Sequence, residues 1–269
     1  MEFLPQLFAL LITGMCAGVL AGLLGVGGGI VIVPVLFFLF QGFGVSAGTA
    51  QVVATATSLA TIIPTSISSI RAHYANGNVD FKLLKFWVVF VFVGVMGGSF
   101  MVTRVDGSYL TALFGIIATL SALNMLFRAG AKPLKNELPG PVGQGIMAAC
   151  IGFFSTMVGI GGGTLTVPTL TACNYPAHRA VGTAAAVGLL ISLPSALTLL
   201  VAGITPEDAP QFTYGLVNLV AFVCIVPLTV LFAPMGAKLA QKLDQKKLKR
   251  VFAIALMITG VRMLAQLVL

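Results

Sequence analysis

Ten apolar segments separated by short polar breaks run along the whole chain. They cover residues 5–24, 30–43, 47–70, 83–103, 109–127, 142–158, 164–173, 180–202, 212–236 and 248–267. Most have about the 20 residues that a helix needs to cross a lipid bilayer, whereas 30–43 and 164–173 are shorter. The pattern predicts an all-α, polytopic helical membrane protein in which the two short segments are half-helices or tilted helices.

Two nearly identical glycine runs stand immediately before the two short segments. The first is Gly25-Val26-Gly27-Gly28-Gly29, and the second is Gly159-Ile160-Gly161-Gly162-Gly163. Each run is followed five residues later by a proline, Pro34 or Pro168. Glycine weakens a helix and exposes backbone amides, so two such interruptions at matching places in a membrane chain indicate a binding site.

The glycine runs belong to an internal repeat of the whole chain. At an offset of 134 residues the surroundings of the first run match those of the second, and at 138 the ends of the two halves match. The third segment matches the eighth at 126, which we prefer to 134 because 126 also aligns the segment's end. The predicted organisation is a first membrane repeat (1–128), a linker rich in proline, glycine and charge (129–141), and a second membrane repeat (142–269).

The 15 lysine and arginine residues indicate how the two halves are oriented. If each glycine run interrupted one span, each half would cross four times and the basic residues would divide seven to eight across the membrane. If each run is the tip of a hairpin, each half crosses five times, thirteen basic residues share one side, and only Arg104 and Arg262 lie on the other. The positive-inside rule favours the hairpin. The prediction is two inverted-topology repeats, each a glycine-rich broken hairpin plus three transmembrane helices, with both termini outside and the linker cytoplasmic.

Composition supports this class and excludes others. The chain is 58% hydrophobic and 8% charged, far from the quarter of charged residues found in soluble domains. The net charge of +8 resides in short loops, which is typical of helix orientation in membranes and not of nucleic-acid binding. The four cysteines lack the spacing of a metal or redox site, and no catalytic constellation occurs. We therefore expect no cofactor, no metal and no enzymatic activity.

The glycine runs and the hydroxyl-rich third segments carry the candidate binding chemistry. Exposed amides at the start of a helix, together with the helix dipole, favour an anion. The alternatives are that the glycines only allow close helix packing and that the hydroxyls bond to their own helices. The candidate substrate-binding residues are Gly25, Gly27, Gly28, Gly29, Ile30, Thr57, Ser58, Gly159, Gly161, Gly162, Gly163, Thr164 and Thr183.

These motifs, taken in order, resemble the TauE/SafE family of membrane transporters, also called sulfite exporters or toluene-sulfonate uptake permeases. The resemblance rests on the two glycine runs with their prolines, 56–59, 180–183, His178, and His73 with Gly77, Val79 and Asp80. It covers nearly the whole chain. Ala184 stands where Ser58 stands in the first half, which suggests that one half contacts the ligand more than the other.

The resemblance implies a multi-pass protein of the bacterial inner membrane, in which the termini that the charge pattern places outside would be periplasmic. It would be a secondary transporter, and by expectation an exporter, of small sulfur anions such as sulfite, sulfoacetate or other organosulfonates by alternating access. An anion channel and a membrane subunit serving a partner enzyme are the alternatives. The expected partners are the anion and the lipid bilayer, with homo-oligomerisation left open.

Overall fold

The computed structural model describes residues 3–25, 27–127, 137–239 and 245–267. These residues form ten helices and one small strand pair. The elements are α1 (Phe3–Leu24), α2 (Gly29–Gly42), α3 (Ala47–Tyr74), α4 (Phe81–Val102), α5 (Gly107–Phe127), α6 (Pro141–Val158), α7 (Gly163–Ala172), α8 (Ala177–Val201), β1 (Thr213–Tyr214), β2 (Val217–Asn218), α9 (Leu219–Leu239) and α10 (Gln245–Ala265). The predicted linker, 129–141, lies largely outside the described residues.

Each predicted apolar segment corresponds to one helix, so the all-α helical membrane class is confirmed. Among the described residues, six helices are long and apolar enough to cross a bilayer: α3, α4, α5, α6, α8 and α9. Large apolar side chains such as Phe92, Phe100 and Val201 are exposed on the outer surface, as lipid-facing side chains are. The start of α9 differs from the sequence expectation, because residues 213–218 form an antiparallel β-hairpin that was not predicted.

Among the described residues, the two glycine runs lie between helices, and the last glycine of each run, Gly29 or Gly163, is the first residue of the helix that follows. The first separates α1 from α2, and the second separates α6 from α7. The short helices α2 and α7 then run for 14 and 10 residues and carry Pro34 and Pro168 at corresponding places. Neither short helix reaches the length of about 20 residues that a full span needs.

Two pairs of helices pack closely, and within each pair the two helices run in the same direction. In the first pair, α1 lies against α9: a Cβ added to Gly14 would lie 2.9 Å from the Ile225 carbonyl oxygen, and one added to Gly18 would lie 2.8 Å from Thr229 Cα. In the second pair, α4 lies against α6, and a Cβ added to Gly98 would lie 2.6 Å from the Phe153 carbonyl oxygen. Small residues thus let backbones approach closely, which is how membrane helices associate tightly.

Two other helix pairs run in opposite directions. Helix α5 lies against α10, with Gly115 beside Leu264 and Gly260 beside Thr119. Helix α3 lies against α8, with Ser66 beside Gly188 while Asn78, just past the end of α3, contacts Gly182. If α1–α5 are exchanged in order for α6–α10, the α1–α9 pair takes the place of the α6–α4 pair. The α3–α8 and α5–α10 pairs are unchanged by this exchange, because each consists of two equivalent helices.

Replacing Gly18 with leucine is expected to destabilise the protein. The new side chain would begin 2.8 Å from the backbone of Thr229 and force α1 away from α9, a case of overpacking that typically costs about 1–3 kcal/mol. The measurement is the melting temperature of the purified variant in detergent. Gly42→Leu is the matched control, because a Cβ there meets nothing within 4 Å. Equal melting temperatures for both variants and the wild type would contradict the close α1–α9 contact.

Candidate functional site

The two glycine turns meet in the interior of the protein. A Cβ added to Gly27 would lie 3.3 Å from Gly161 Cα, and one added to Gly29 would lie 2.6 Å from the Gly159 carbonyl oxygen. All the described glycines of both turns are buried. A side chain at Gly29 would force the two turns apart, whereas one at Gly27 would be tight against both Gly161 and the Ile62 side chain.

The two turns have different backbone conformations. In the first turn, Gly25, Gly27 and Gly28 have positive φ angles of 64°, 74° and 80°. Among the described residues of the second turn, only Gly159 does, with φ 72°, while Gly162 is in the ordinary helical region with φ −51°. The first turn therefore depends on glycine for its conformation at three places, and the second at one.

Both short helices begin at these turns, with their N-termini directed to the same interior region. At the start of α2, the amides of Val31 and Ile32 donate to the Gly28 carbonyl oxygen, so these two amides are satisfied internally. At the start of α7, the backbone amide of Thr166 donates to the Gly162 carbonyl oxygen at 2.8 Å. The backbone amide of Thr164 makes a longer bond of 3.5 Å to the Gly161 carbonyl oxygen. In the described part of the chain, the amides of residues 27–30 in the first turn and of residues 161–163 in the second turn have no backbone acceptor. Such amides and the helix dipole favour an anion.

Helix α3 from the first half holds the second turn in place. The Ser58 hydroxyl donates to the Gly159 carbonyl oxygen at 2.8 Å, and a Cβ on Gly159 would lie 2.7 Å from Thr55 Cα. The predicted residue Ser58 thus lies beside the predicted glycines. Ile30 lies at the start of α2 and is buried in the apolar core with Val33.

Thr57 and Thr183 occupy equivalent positions and bind equivalent partners. The Thr57 hydroxyl oxygen accepts from the amide of Asn218, just before α9, at 2.9 Å, and the Thr183 oxygen accepts from the amide of Asp80, just before α4, at 3.0 Å. Asn218 and Asp80 in turn accept amide hydrogens from the first turns of those helices. Each threonine thus helps to fix the start of a helix in the opposite half, and the role of both as ligands stays a prediction.

A polar cluster around Asp80 includes two residues that the sequence analysis did not single out, Tyr175 and Arg179. The Tyr175 hydroxyl and the Arg179 guanidinium both donate to Asp80 Oδ2, the latter at 3.0 Å. The Asp80 side chain is 17% exposed and that of Arg179 is 47% exposed. The cluster joins the loop before α4 to the link between α7 and α8, and therefore joins the two halves. The signal in the sequence was weak: Asp80 stands directly before an apolar run, where a helix cap is expected.

Electrostatics keep Asp80 ionised and Tyr175 neutral. Burial acts to raise the pKa of Asp80, but the hydrogen bonds from Tyr175 and Leu83 and the charge of Arg179 outweigh it and hold this pKa below its ordinary value. Burial, followed by the hydrogen bond to Asp80 and its charge, raises the pKa of Tyr175 to about 12. The Tyr175 hydroxyl therefore stays protonated and donating at neutral pH.

A second aspartate, Asp208, joins the halves at another place. It accepts from the Ser46 amide at 3.0 Å and from the Thr49 hydroxyl at 2.6 Å, at the start of α3. The hydrogen bonds from Ser46 and Thr49 lower the pKa of Asp208 to about 2. In each cluster, an aspartate between the third and fourth helices of one half contacts the link between the second and third helices of the other.

The fold defines a multi-pass helical membrane protein, and the buried glycine turns are its candidate binding region. Within the described residues, no group of three or more His, Cys, Asp or Glu is placed to hold a metal ion. The profile of the family described as "Sulfite exporter TauE/SafE" matches residues 10–263, and the chain belongs to this family.

Full-length relatives are described as probable membrane transporter proteins. The chain is 29% identical to one from Haemophilus influenzae, covering 94% of this chain and 96% of the relative. It is also 29% identical to one from Methanocaldococcus jannaschii, covering 98% and 97%. A third, from Bacillus subtilis, is 27% identical over 95% and 96% of the two chains. No solved structure matches the chain. Family and relatives together identify a membrane transporter.

Replacing Asp80 with asparagine is expected to lower stability by about 1–3 kcal/mol at pH 7, because it removes charged hydrogen bonds while asparagine still caps α4. The pKa of Asp80 is depressed in the folded protein, so its contribution is complete above the ordinary value of 3.8 and is lost as the pH falls through the lower folded value. The difference in melting temperature between variant and wild type should therefore shrink below pH 4.

The matched control for this prediction is Asp106→Asn. Asp106 also accepts amide hydrogens before a helix, from Ser108 at 2.7 Å, but it is exposed and makes no ion pair among the described residues. Its loss should change the melting temperature little. A gap between Asp80→Asn and wild type that stays constant between pH 7 and pH 3 would argue against a stabilising carboxylate at position 80.

Proposed function

We propose that this protein is a secondary transporter that exports small sulfur-containing oxyanions, such as sulfite, sulfoacetate or other organosulfonates, across the bacterial inner membrane. The observation that carries the proposal is the contact between the two buried glycine turns at the starts of α2 and α7. Gly27 approaches Gly161 and Gly29 approaches Gly159 across the boundary between the halves. Irregular backbone inside a membrane is tolerated only where it is buried in protein or lines a cavity, and helix N-termini in such a place favour an anion.

The choice of a sulfur-containing substrate rests on the family, whose description names sulfite export. The three oxygens of sulfite or of a sulfonate group are hydrogen-bond acceptors, so a site for them needs only hydrogen-bond donors. Backbone amides and neutral hydroxyls are sufficient partners for such a group near a helix N-terminus. The candidate residues Gly161, Gly162 and Gly163 supply amides of this kind.

Inverted-topology repeats would give this protein a route to alternating access. In that arrangement, α3 and α8 run in opposite directions, as do α5 and α10, while α1 runs with α9 and α4 with α6. The glycine and side-chain contacts between these helices have this pattern. Parallel four-span repeats would instead make α5 and α10 run the same way. The pattern supports two repeats, 1–128 and 142–269, that rock against each other around the glycine turns.

Proteoliposomes should show saturable movement of at least one anion from a panel of sulfite, sulfate, thiosulfate, sulfoacetate and taurine. The measurement is flux with and without a pH gradient, which also reports coupling to protons. Empty liposomes prepared in parallel are the control. Flux far above carrier rates that does not saturate would indicate a channel. No flux of any anion on the panel would overturn the proposed substrate class.

Reporter fusions should place the C-terminus outside the cytoplasm and the linker inside. We expect alkaline phosphatase fused after Leu269 to be active, because the enzyme folds only in the periplasm, and the same enzyme inserted after Asn136 to be inactive. A fluorescent protein that folds only in the cytoplasm, inserted at the same two points, is the complementary control. Activity at both points, or at neither, would contradict inverted repeats.

A further inference from the structure

Two polar clusters connect the halves, and both are built in the same way. Asp80 accepts from the Arg179 guanidinium at 3.0 Å, and Asp208 accepts from the Thr49 hydroxyl at 2.6 Å. Each aspartate lies in the link between the third and fourth helices of one half, and Arg179 and Thr49 are each the third residue of the third helix in the other half. The clusters are therefore equivalent contacts of the repeat. We name them the Asp80 cluster (Asp80, Tyr175 and Arg179) and the Asp208 cluster (Asp208, Ser46 and Thr49).

The two clusters lie at opposite ends of α3. The Asp208 cluster includes Ser46, which caps the N-terminus of α3. Asp80 lies just beyond the C-terminus of α3, in a loop held there by a hydrogen bond of 3.1 Å from the Asn78 amide to the His73 carbonyl oxygen. At about 1.5 Å per residue, the 28 residues of α3 span roughly 42 Å, more than the thickness of about 30 Å of a bilayer's hydrocarbon core. The clusters are therefore placed at the two faces of the membrane.

The glycine turns lie between the two clusters. In the middle of α3, the Ser58 hydroxyl donates to the Gly159 carbonyl oxygen of the second turn at 2.8 Å. One helical turn further along, the Ile62 side chain lies 2.9 Å from a Cβ built on Gly29 of the first turn. The candidate binding region thus has one contact between the halves on the side of each membrane face.

Both clusters can open without leaving a charge buried in the protein. The Arg179 side chain is 47% exposed, that of Asp80 keeps 17% exposure, and Asp208 is exposed. Breaking an ion pair is costly when a charge stays buried without a partner, whereas exposed groups exchange their partner for water. The clusters are therefore contacts that can form and break during a transport cycle.

We propose that the Asp80 cluster and the Asp208 cluster are the two gates of the transporter, one at each membrane face. This inference rests on the proposed alternating access and assigns the contacts that keep each gate closed. In the proposed topology, the Asp80 cluster is the cytoplasmic gate and the Asp208 cluster is the periplasmic gate. Both are formed here, with the glycine turns buried between them. Rocking of the halves about these turns opens one gate and keeps the other closed, because the gates lie on opposite sides of the turns.

Two matched substitutions weaken the gates one at a time. One oxygen of Asp80, Oδ1, accepts the amides that cap α4, whereas Oδ2 accepts from Tyr175 and Arg179. Tyr175→Phe therefore removes one bond to Oδ2 and keeps both the aromatic ring and the helix cap. Thr49→Val removes the bond to Asp208 Oδ1, with little change in side-chain shape. Each variant loses one hydroxyl that donates to a carboxylate.

A single cysteine beside the glycine turns reports which face is open. The four native cysteines are first replaced by alanine, and the reporters are Thr164→Cys and Ser66→Cys, each in a separate protein. Thr164 is 7% exposed and Ser66 is 1% exposed, and neither hydroxyl makes a hydrogen bond within the described residues, so a thiol replaces it without breaking one. A small, charged, membrane-impermeant methanethiosulfonate is added to spheroplasts for the periplasmic face and to inside-out vesicles for the cytoplasmic face. The labelling rate is measured.

Each gate variant should expose the reporters to one face. Tyr175→Phe should raise the labelling rate from the cytoplasmic face roughly tenfold, and Thr49→Val should do the same from the periplasmic face, because each loses one hydrogen bond to a charged group. The rate from the other face should not rise. Asp106→Asn is the matched control: Asp106 accepts the amide of Ser108, within one half, so its loss should change neither rate.

A rise at opposite faces for Tyr175→Phe and Thr49→Val supports the two gates, and the faces themselves check the predicted topology. A rise at the same face for both variants overturns the proposal. Rates equal to those of the Asp106→Asn control at both reporters also overturn it, provided that each reporter labels fully after denaturation in SDS.

The labelling needs no substrate, so its result is separate from that of the anion panel. Flux of a sulfur anion without face-specific labelling would leave the proposed function standing and remove the gates. Face-specific labelling without flux of any anion on the panel would keep the gates and overturn the proposed substrate class.

Discussion

Close contact between backbones at glycine is the constraint on which the rest of this structure depends. Lipid chains are as apolar as leucine, so burial alone does not bring membrane helices together, and the closeness of packing becomes decisive. Gly14 and Gly18 bring α1 onto α9, and Gly98 brings α4 onto α6. The same property brings the two glycine turns together, with Gly29 against the Gly159 carbonyl. Packing and the candidate site therefore share one physical basis.

Hydrogen bonds between the halves complement this packing at the helix starts. Thr57 and Thr183 accept the amides of Asn218 and Asp80, groups that would otherwise lack an intrahelical partner. Asp80 also binds Arg179 of the opposite half, and Asp208 likewise binds the start of α3. These contacts give each half a polar connection to the other at two places. A relative movement of the halves must change them, since each is formed by residues from both.

The repeat is symmetric in its framework and asymmetric in its interior. Helix pairs exchange with one another when the halves are exchanged, and Asp80 and Asn218 cap equivalent helices. The turns nevertheless differ in backbone conformation, and Ile62 of the first half corresponds to Gly188 of the second. The two copies of the motif therefore keep the same packing of helices while they differ at particular residues.

The sequence by itself determined the class of protein, the number and approximate position of the helices, the repeat and the two glycine turns. These follow from apolar length, from hydropathy and from glycine's backbone properties, all of which are local to a segment of chain. The family could be recognised from the same motifs in order. The unexpected hairpin at 213–218 shows where a local apolar pattern was insufficient to place a helix start.

Only the tertiary structure decided which polar groups meet. Asp80 and Arg179 are far apart in sequence, as are Ser58 and Gly159, and nothing local specifies either contact. Each depends on the rotation and height of a helix, which are set by packing against several neighbours at once. The same hydroxyl pattern on α3 therefore gave Thr57 a capping partner, Ser58 a partner in the second turn, and Ser66 none among the described residues. Sequence determined which residues could bind, and the packing of the helices determined which of them remained free to do so.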